Sequence, residues 1–134
     1  MEALEVSARW DGGYAVGVEA RGHRIAVDEP AASGGEDGGM MPTEVFLASL
    51  ASCFCLALAW KAGRDGIEVP GLRVDGRAER AGRELRYDRI VLTATAAVPD
   101  EQLAQLVERA RRLCWVSNTL AMPPVVEYRS MEVS

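Results

Sequence analysis

Three cysteines, Cys53, Cys55 and Cys114, carry the most reactive side chains of this chain. A cysteine thiolate is a nucleophile, a metal ligand and a redox centre. Cys53 and Cys55 lie two residues apart in a segment with helical character, which places them about 200° apart around the helix axis. They therefore face different surroundings, and we expect no disulfide between them. The alternative is that each cysteine is an ordinary buried thiol that packs as a small hydrophobic residue.

The composition argues against several classes of function. The chain has 134 residues, a net charge of −5 and one histidine. An acidic chain without a basic run lacks the patch expected of a nucleic-acid-binding protein. One histidine and the absence of a Cys-x-x-Cys motif argue against a zinc site. The glycine-rich residues 34–39 lack the Lys-Ser/Thr of a phosphate-binding loop. We therefore expect no metal, no cofactor and no nucleic-acid partner.

The termini and the apolar segments bear on the cellular compartment. Residues 1–5 are acidic and no apolar run follows them, so we expect no signal peptide. An odd number of cysteines without an export signal favours a cytoplasmic protein with reduced thiols. The uncharged residues 45–60 are fewer than the roughly 20 that span a membrane. The sequence therefore predicts no membrane partner.

Periodicity predicts an α+β fold in a single domain over residues 1–134. Alternating apolar and polar residues indicate strands, and Asp11-Gly12-Gly13 is a typical hairpin turn. Apolar residues at helical spacing indicate two helices. The predicted order is βββ-α-ββ-α-β: strands over 4–10, 14–18 and 23–27, a helix over 43–63, strands over 72–79 and 87–98, a helix from Pro99, and a last strand over Val125–Val133.

The first predicted helix indicates a homodimer. It carries no charge from Val45 to Trp60, so every side of it needs cover. A chain of this size can cover one side with its own strands, and a second copy is a simple source for the other. Small residues lie along one stripe where another helix could approach closely: Ala48, Ser52, Cys55 and Ala59.

Two separated motifs resemble those of the OsmC/Ohr family. The segment Pro42–Cys53, PTEVFLASLASC, is similar to the family's pattern of Pro, Glu, a Leu-rich run and Ala-Ser-Cys. Cys114–Ser117, CWVS, is similar to its Cys-Pro-Val-Ser, with Trp115 in place of proline. The resemblance implies an antiparallel sheet wrapped around a buried central helix, in an intertwined homodimer.

The resemblance also implies a reaction. Cys53 would be the peroxidatic cysteine that attacks a hydroperoxide, and Cys114 would resolve its sulfenic acid as a disulfide. A small thiol or dithiol would then reduce that disulfide. Family members activate the thiolate with an arginine held by a glutamate at the helix start. Arg21 and Arg24 are the candidates for the arginine, and Glu44, one residue later than the family's position, is the candidate for the glutamate.

Each assignment has an alternative. Glu44 would equally serve as a first-turn carboxylate favoured by the helix dipole. Arg21 and Arg24 would equally be solvated hairpin charges. The protein as a whole could be a non-catalytic member of the fold that binds a small apolar ligand; a purely structural domain has no supporting feature. Apolar residues expected around Cys53 predict a preference for organic hydroperoxides over hydrogen peroxide: Phe46, Leu50, Phe54, Trp115 and Met122.

Overall fold

The computed structural model describes residues 3–133 and confirms the α+β class. The described residues form five strands and three α-helices: β1 (Ser7–Trp10), β2 (Val16–Ala20), β3 (His23–Val27), α1 (Pro42–Arg64), β4 (Arg73–Arg80), β5 (Tyr87–Thr95), α2 (Asp100–Ala110) and α3 (Trp115–Ala121). The chain divides into two compact units, Met1–Ala48 and Ser49–Ser134. The single domain over residues 1–134 stays a prediction.

In the first unit, β1, β2 and β3 form an antiparallel meander. The turn between β2 and β3 consists of Arg21 and Gly22, whose φ angles are 51° and 83°. Positive φ at both central residues is typical of the type I′ turn, which matches the twist of the strands that it joins. The predicted turn at Asp11 is also present, since the Asp11 amide donates to the Ala15 carbonyl at 2.8 Å.

A buried carboxylate organises the loop after β3. Asp28 accepts hydrogen bonds from the backbone amides of Glu29 at 2.7 Å and Gly38 at 3.1 Å. The amide of Gly38 first, and then that of Glu29, lowers the pKa of Asp28 below its ordinary value of 3.8. A Cβ atom at Gly35 would lie 2.0 Å from the Glu29 carbonyl oxygen, so only glycine fits there. The glycine-rich segment therefore allows the backbone to approach itself closely.

In the second unit, the β4–β5 hairpin and α2 pack against α1. One face of the hairpin carries paired charges, as in Arg73 and Asp75, whose side chains are 2.6 Å apart. The opposite face turns Val74 and Leu92 toward the core. The buried core consists of one stripe of α1 together with residues of α2 and the segment after it: Leu50, Phe54, Ala57, Leu58, Ala62, Leu106, Ala110 and Cys114.

Helix α1 is longer than the predicted helix and has two unlike sides. Its core side includes Leu58, which is fully buried, whereas Leu56 on the other side is 72% exposed. The predicted helix, buried on nearly all sides, is therefore only half covered within the described residues. By length and composition alone α1 could cross a membrane, a test that the core helix of a soluble protein also passes.

Three features differ from the predicted fold. The last strand, predicted over Val125–Val133, is wrong for the chain by itself, because residues 123–133 have no regular structure. A strand needs a hydrogen-bonding neighbour, and the described residues offer none to this segment. A third helix, α3, follows Cys114 instead. The other five strands form two separate antiparallel sheets, β1-β2-β3 and β4-β5, in place of one.

The core contact between α1 and α2 gives a prediction about stability. Leu58→Ala removes a fully buried side chain, so we expect a loss of about 2–5 kcal/mol in the free energy of unfolding. Leu85→Ala is the matched control, because Leu85 is 97% exposed and should change stability by less than about 0.5 kcal/mol. Urea denaturation of both variants measures the difference. Equal losses would contradict this description of the core.

Candidate active site

Two helices and one turn position the cysteine pair. Cys53 lies on α1 between Leu50 and Phe54, at the edge of the buried stripe, and is half-buried. Cys114 follows α2 after a single 3-10 turn, Arg111–Leu113, and is the N-cap residue of α3. Its extended backbone, with φ −87° and ψ 106°, is typical of an N-cap. Only 1% of Cys114 is exposed.

The structure brings Cys53 and Cys114 together. The Cys53 side chain is a hydrogen-bond partner of the Cys114 sulfur. All three cysteines are free thiols, and Cys55 lies on another side of α1. An ion pair supports the helix packing, since Asp65 beyond the end of α1 lies 3.7 Å from the Arg109 guanidinium of α2. The pairing of Cys53 with Cys114 was predicted from the family resemblance and not from the spacing of the cysteines.

The surroundings of Cys114 favour its thiolate. Burial raises the pKa of Cys114, but hydrogen bonds to the sulfur lower it further than burial raises it, so the pKa lies below its ordinary value. The strongest of these come from the hydroxyl and the backbone amide of Ser117; the Cys53 thiol and the Val116 amide add to them. The neutral thiol makes no capping hydrogen bond of ordinary geometry. The amides of α3 therefore act mainly on the charged form.

Ser117 is the site residue that sequence reasoning missed. Its hydroxyl lies 3.2 Å from the Cys114 carbonyl oxygen and within hydrogen-bonding reach of the Cys114 sulfur. The Cys114–Ser117 motif contains this serine, but the sequence assigns it no role at the site. The signal that would have found it is the spacing Cys-x-x-Ser, because the N-cap side chain and residue N3 face each other at a helix start.

Glu44 lies at the start of α1. Its carboxylate accepts a hydrogen bond from the Met41 backbone amide at 2.9 Å, the geometry of a capping carboxylate. Its side chain is exposed, and among the described residues no salt bridge joins it to an arginine. This contact belongs to the alternative assignment, in which Glu44 stabilises the helix terminus. A role for Glu44 at the cysteine pair stays a prediction.

Arg21 and Arg24 both lie in the first unit, and their side chains are exposed. Arg21 occupies the turn between β2 and β3. Arg24, on β3, lies over Gly17 of β2, where its guanidinium takes the space that a Cβ atom would fill. Cys53 and Cys114 belong to the second unit, Ser49–Ser134. Activation of Cys53 by either arginine therefore stays a prediction.

The apolar residues expected around Cys53 divide into two groups. Leu50 and Phe54 are buried in the core beside Cys53. Phe46, Trp115 and Met122 are 37%, 81% and 83% exposed. Within residues 3–133, no group of three His, Cys, Asp or Glu side chains is arranged to hold a metal ion. The described site therefore offers two thiols, one serine hydroxyl and backbone amides as its reactive and polar groups.

Comparison with known proteins places these motifs in a family. The sequence profile described as OsmC-like protein matches residues 34–129, a range that contains both members of the cysteine pair. The chain belongs to the OsmC-like protein family. It is 26% identical over 84 residues to an uncharacterised protein of Methanocaldococcus jannaschii, a match that covers 60% of this chain. The match spans only 44% of that archaeal protein.

Solved structures show the same fold as this OsmC-like chain. An OsmC-like protein from Mycoplasma pneumoniae has a TM-score of 0.78 at 16% identity, covering 90% of this chain and 88% of its own. An organic hydroperoxide resistance protein from Legionella pneumophila has a TM-score of 0.71 at 22% identity, with 90% of each chain covered. One from Elizabethkingia anophelis, with thiocyanate bound, has a TM-score of 0.63 at 22% identity and 89% coverage of each.

The contact between the two sulfurs gives a prediction about oxidation. Treatment of the OsmC-like chain with one equivalent of diamide should produce a disulfide between Cys53 and Cys114, because Cys53 packs against the core cluster that contains Cys114 and is a hydrogen-bond partner of its sulfur. Peptide mapping by mass spectrometry identifies the bond. Cys55→Ser is the matched control and should give the same product. A bond from Cys55 to either partner within one chain would contradict the described arrangement.

Proposed function

We propose that this OsmC-like protein is a thiol-dependent peroxidase that reduces organic hydroperoxides with Cys53 and Cys114. The observation that carries the proposal is the contact of the accessible Cys53 thiol with a buried Cys114 sulfur of lowered pKa. Two structural neighbours described as organic hydroperoxide resistance proteins support the substrate class. The reducing cytoplasm is the compartment proposed for this chemistry.

The first step of the proposed reaction uses the hydrogen bond between the sulfurs. The Cys114 thiolate acts as a general base and accepts the Cys53 proton while the Cys53 sulfur, the more accessible of the two, attacks the terminal oxygen of the hydroperoxide. The O–O bond breaks in this attack. Cys53 becomes a sulfenic acid, and the leaving alkoxide takes the proton from Cys114 to become the alcohol, which returns Cys114 to the thiolate. The two electrons come from the Cys53 sulfur.

The second step regenerates the enzyme. The Cys114 thiolate attacks the Cys53 sulfur, a disulfide forms, and the hydroxide that leaves takes a proton from solvent to become water. A small dithiol then reduces the disulfide by thiol–disulfide exchange and becomes oxidised itself. The buried position of Cys114 suits this role, because a thiol that water and peroxide reach poorly is kept for attack on its neighbour. No metal or cofactor takes part in this scheme.

The role of Cys53 can be tested by substitution. Cys53→Ser should abolish the consumption of cumene hydroperoxide in the presence of a dithiol, because serine is not a redox centre. Cys55→Ser is the matched control and should retain most of the activity. Hydrogen peroxide under the same conditions should give a lower specificity constant. Full activity of Cys53→Ser would contradict the proposal, and inactivity of the parent chain with both thiols reduced would favour the ligand-binding alternative.

We also propose that the active form is a homodimer. The outer side of α1 exposes Leu56 and Trp60, and the unpaired segment 123–133 exposes further large apolar side chains: Val125, Val126, Tyr128, Met131 and Val133. Exposed apolar surface of this extent is typical of an interface. A second copy of the chain would cover the helix and would offer the last segment a strand to pair with.

The dimer proposal predicts the mass of the particle in solution. Light scattering at micromolar concentration should give twice the mass of the chain. Leu56→Glu should shift the particle toward the monomer, because it places a charge in a proposed apolar interface. Leu85→Glu, at a 97% exposed position of the β4–β5 hairpin, is the control and should leave the dimer intact. A compact monomer of the parent chain would overturn the proposal.

A further inference from the structure

The Ser117 hydroxyl has two acceptors within reach. One is the Cys114 carbonyl oxygen, 3.2 Å from Oγ, and the other is the Cys114 sulfur. The carbonyl oxygen already accepts the backbone amide of Asn118 at 3.0 Å, so it has a hydrogen bond without the hydroxyl. The hydroxyl carries a single hydrogen, which turns to whichever acceptor binds it more strongly. A thiolate is a much better acceptor than a thiol or a carbonyl that is already bonded.

Few groups other than Ser117 stabilise the Cys114 thiolate. From α1 the titratable group that faces the Cys114 sulfur is the Cys53 thiol, and from α2 the packed neighbours are the uncharged Leu106 and Ala110. No charged side chain of the described residues is among the groups that act on the sulfur. The negative charge of the thiolate therefore rests on hydrogen bonds from Cys53 and from the first turn of α3.

We infer that Ser117 is a positioning residue whose hydroxyl rotates from the Cys114 carbonyl to the Cys114 sulfur when that sulfur loses its proton. The inference rests on the proposed function for its catalytic consequence. When Cys53 has become a sulfenic acid, its thiol hydrogen is gone and it no longer donates as a thiol to Cys114. The remaining side-chain hydrogen bond to the Cys114 sulfur then comes from the Ser117 hydroxyl in the first turn of α3. It holds the thiolate in position for attack on the Cys53 sulfur.

The titration of Cys114 tests the inference without any peroxidase assay. In the Cys53→Ser/Cys55→Ser chain Cys114 is the one remaining cysteine, and its thiolate is followed by ultraviolet absorbance against pH. Ser117→Ala should move the titration to higher pH, and Ser117→Thr should restore it. Thr119→Ala is the matched control, because the Thr119 hydroxyl donates to the Trp115 carbonyl at 2.8 Å in the same helix. An unchanged titration in Ser117→Ala overturns the inference.

The kinetic consequence is measured in the chain with its cysteines intact. After one equivalent of cumene hydroperoxide, Ser117→Ala should form the Cys53–Cys114 disulfide roughly tenfold more slowly at neutral pH, as expected for the loss of a hydrogen bond to a charged group. The slowing should shrink as pH rises, because the thiolate then forms without help. A slowing that is the same at every pH would show a merely structural role and would overturn the inference.

Two further comparisons keep the test decisive. If Ser117→Ala does not fold, Ser117→Thr and Ser117→Val replace it, because threonine and valine have the same shape and only threonine carries a hydroxyl. Equal titrations of Cys114 in these two variants would overturn the inference. If the parent chain consumes no hydroperoxide but Ser117→Ala still shifts the titration, the proposed function fails while the assignment of Ser117 stands. The thiol titration and the hydroperoxide assay therefore fail independently.

Discussion

The packing of α1 against α2 is the constraint on which the described site depends. Leu58 and Leu106 are fully buried between these helices, and Ala110 leaves room for the close approach of the segment that follows α2. That approach places Cys114 beside Cys53, although 60 residues of sequence separate them. A sulfur–sulfur reaction requires contact between side chains, so a displacement of α2 by even one helical turn would separate the two sulfurs and end the proposed chemistry.

Burial and charge oppose each other at Cys114, and local backbone geometry decides the outcome. An apolar core disfavours a thiolate, but the first turn of α3 directs amides and a hydroxyl at the sulfur. Trp115, where the family motif has proline, occupies the first position of α3. Proline suits that position because its missing N–H has no partner there, yet other residues are also accepted. The departure from the motif therefore leaves the N-cap arrangement of Cys114 intact.

Within the described residues, only one side of the apolar helix α1 is buried. Its core side holds the second unit together, while Leu56 and Trp60 remain exposed. The segment after α3 lacks partners for its backbone hydrogen bonds. Its residues alternate as in a strand, but no strand of the described residues lies beside it. Both features have one physical explanation in the proposed dimer, since a second copy would bury the helix face and complete the hydrogen bonds of the segment.

The sequence alone determined the α+β class, the hairpin at Asp11, the strand His23–Val27 and the two long helices, because periodicity and turn residues are local properties. Two motifs in the sequence also indicated the family. Tertiary structure decided the rest. The missing last strand depends on a neighbour that local sequence does not specify, and the contact of Cys53 with Cys114 and Ser117 depends on how helices pack. Glu44 shows the limit, because one carboxylate at a helix start fits both a helix cap and a catalytic site. The structure shows its hydrogen bond with the Met41 amide, and its role at the cysteine pair stays a prediction.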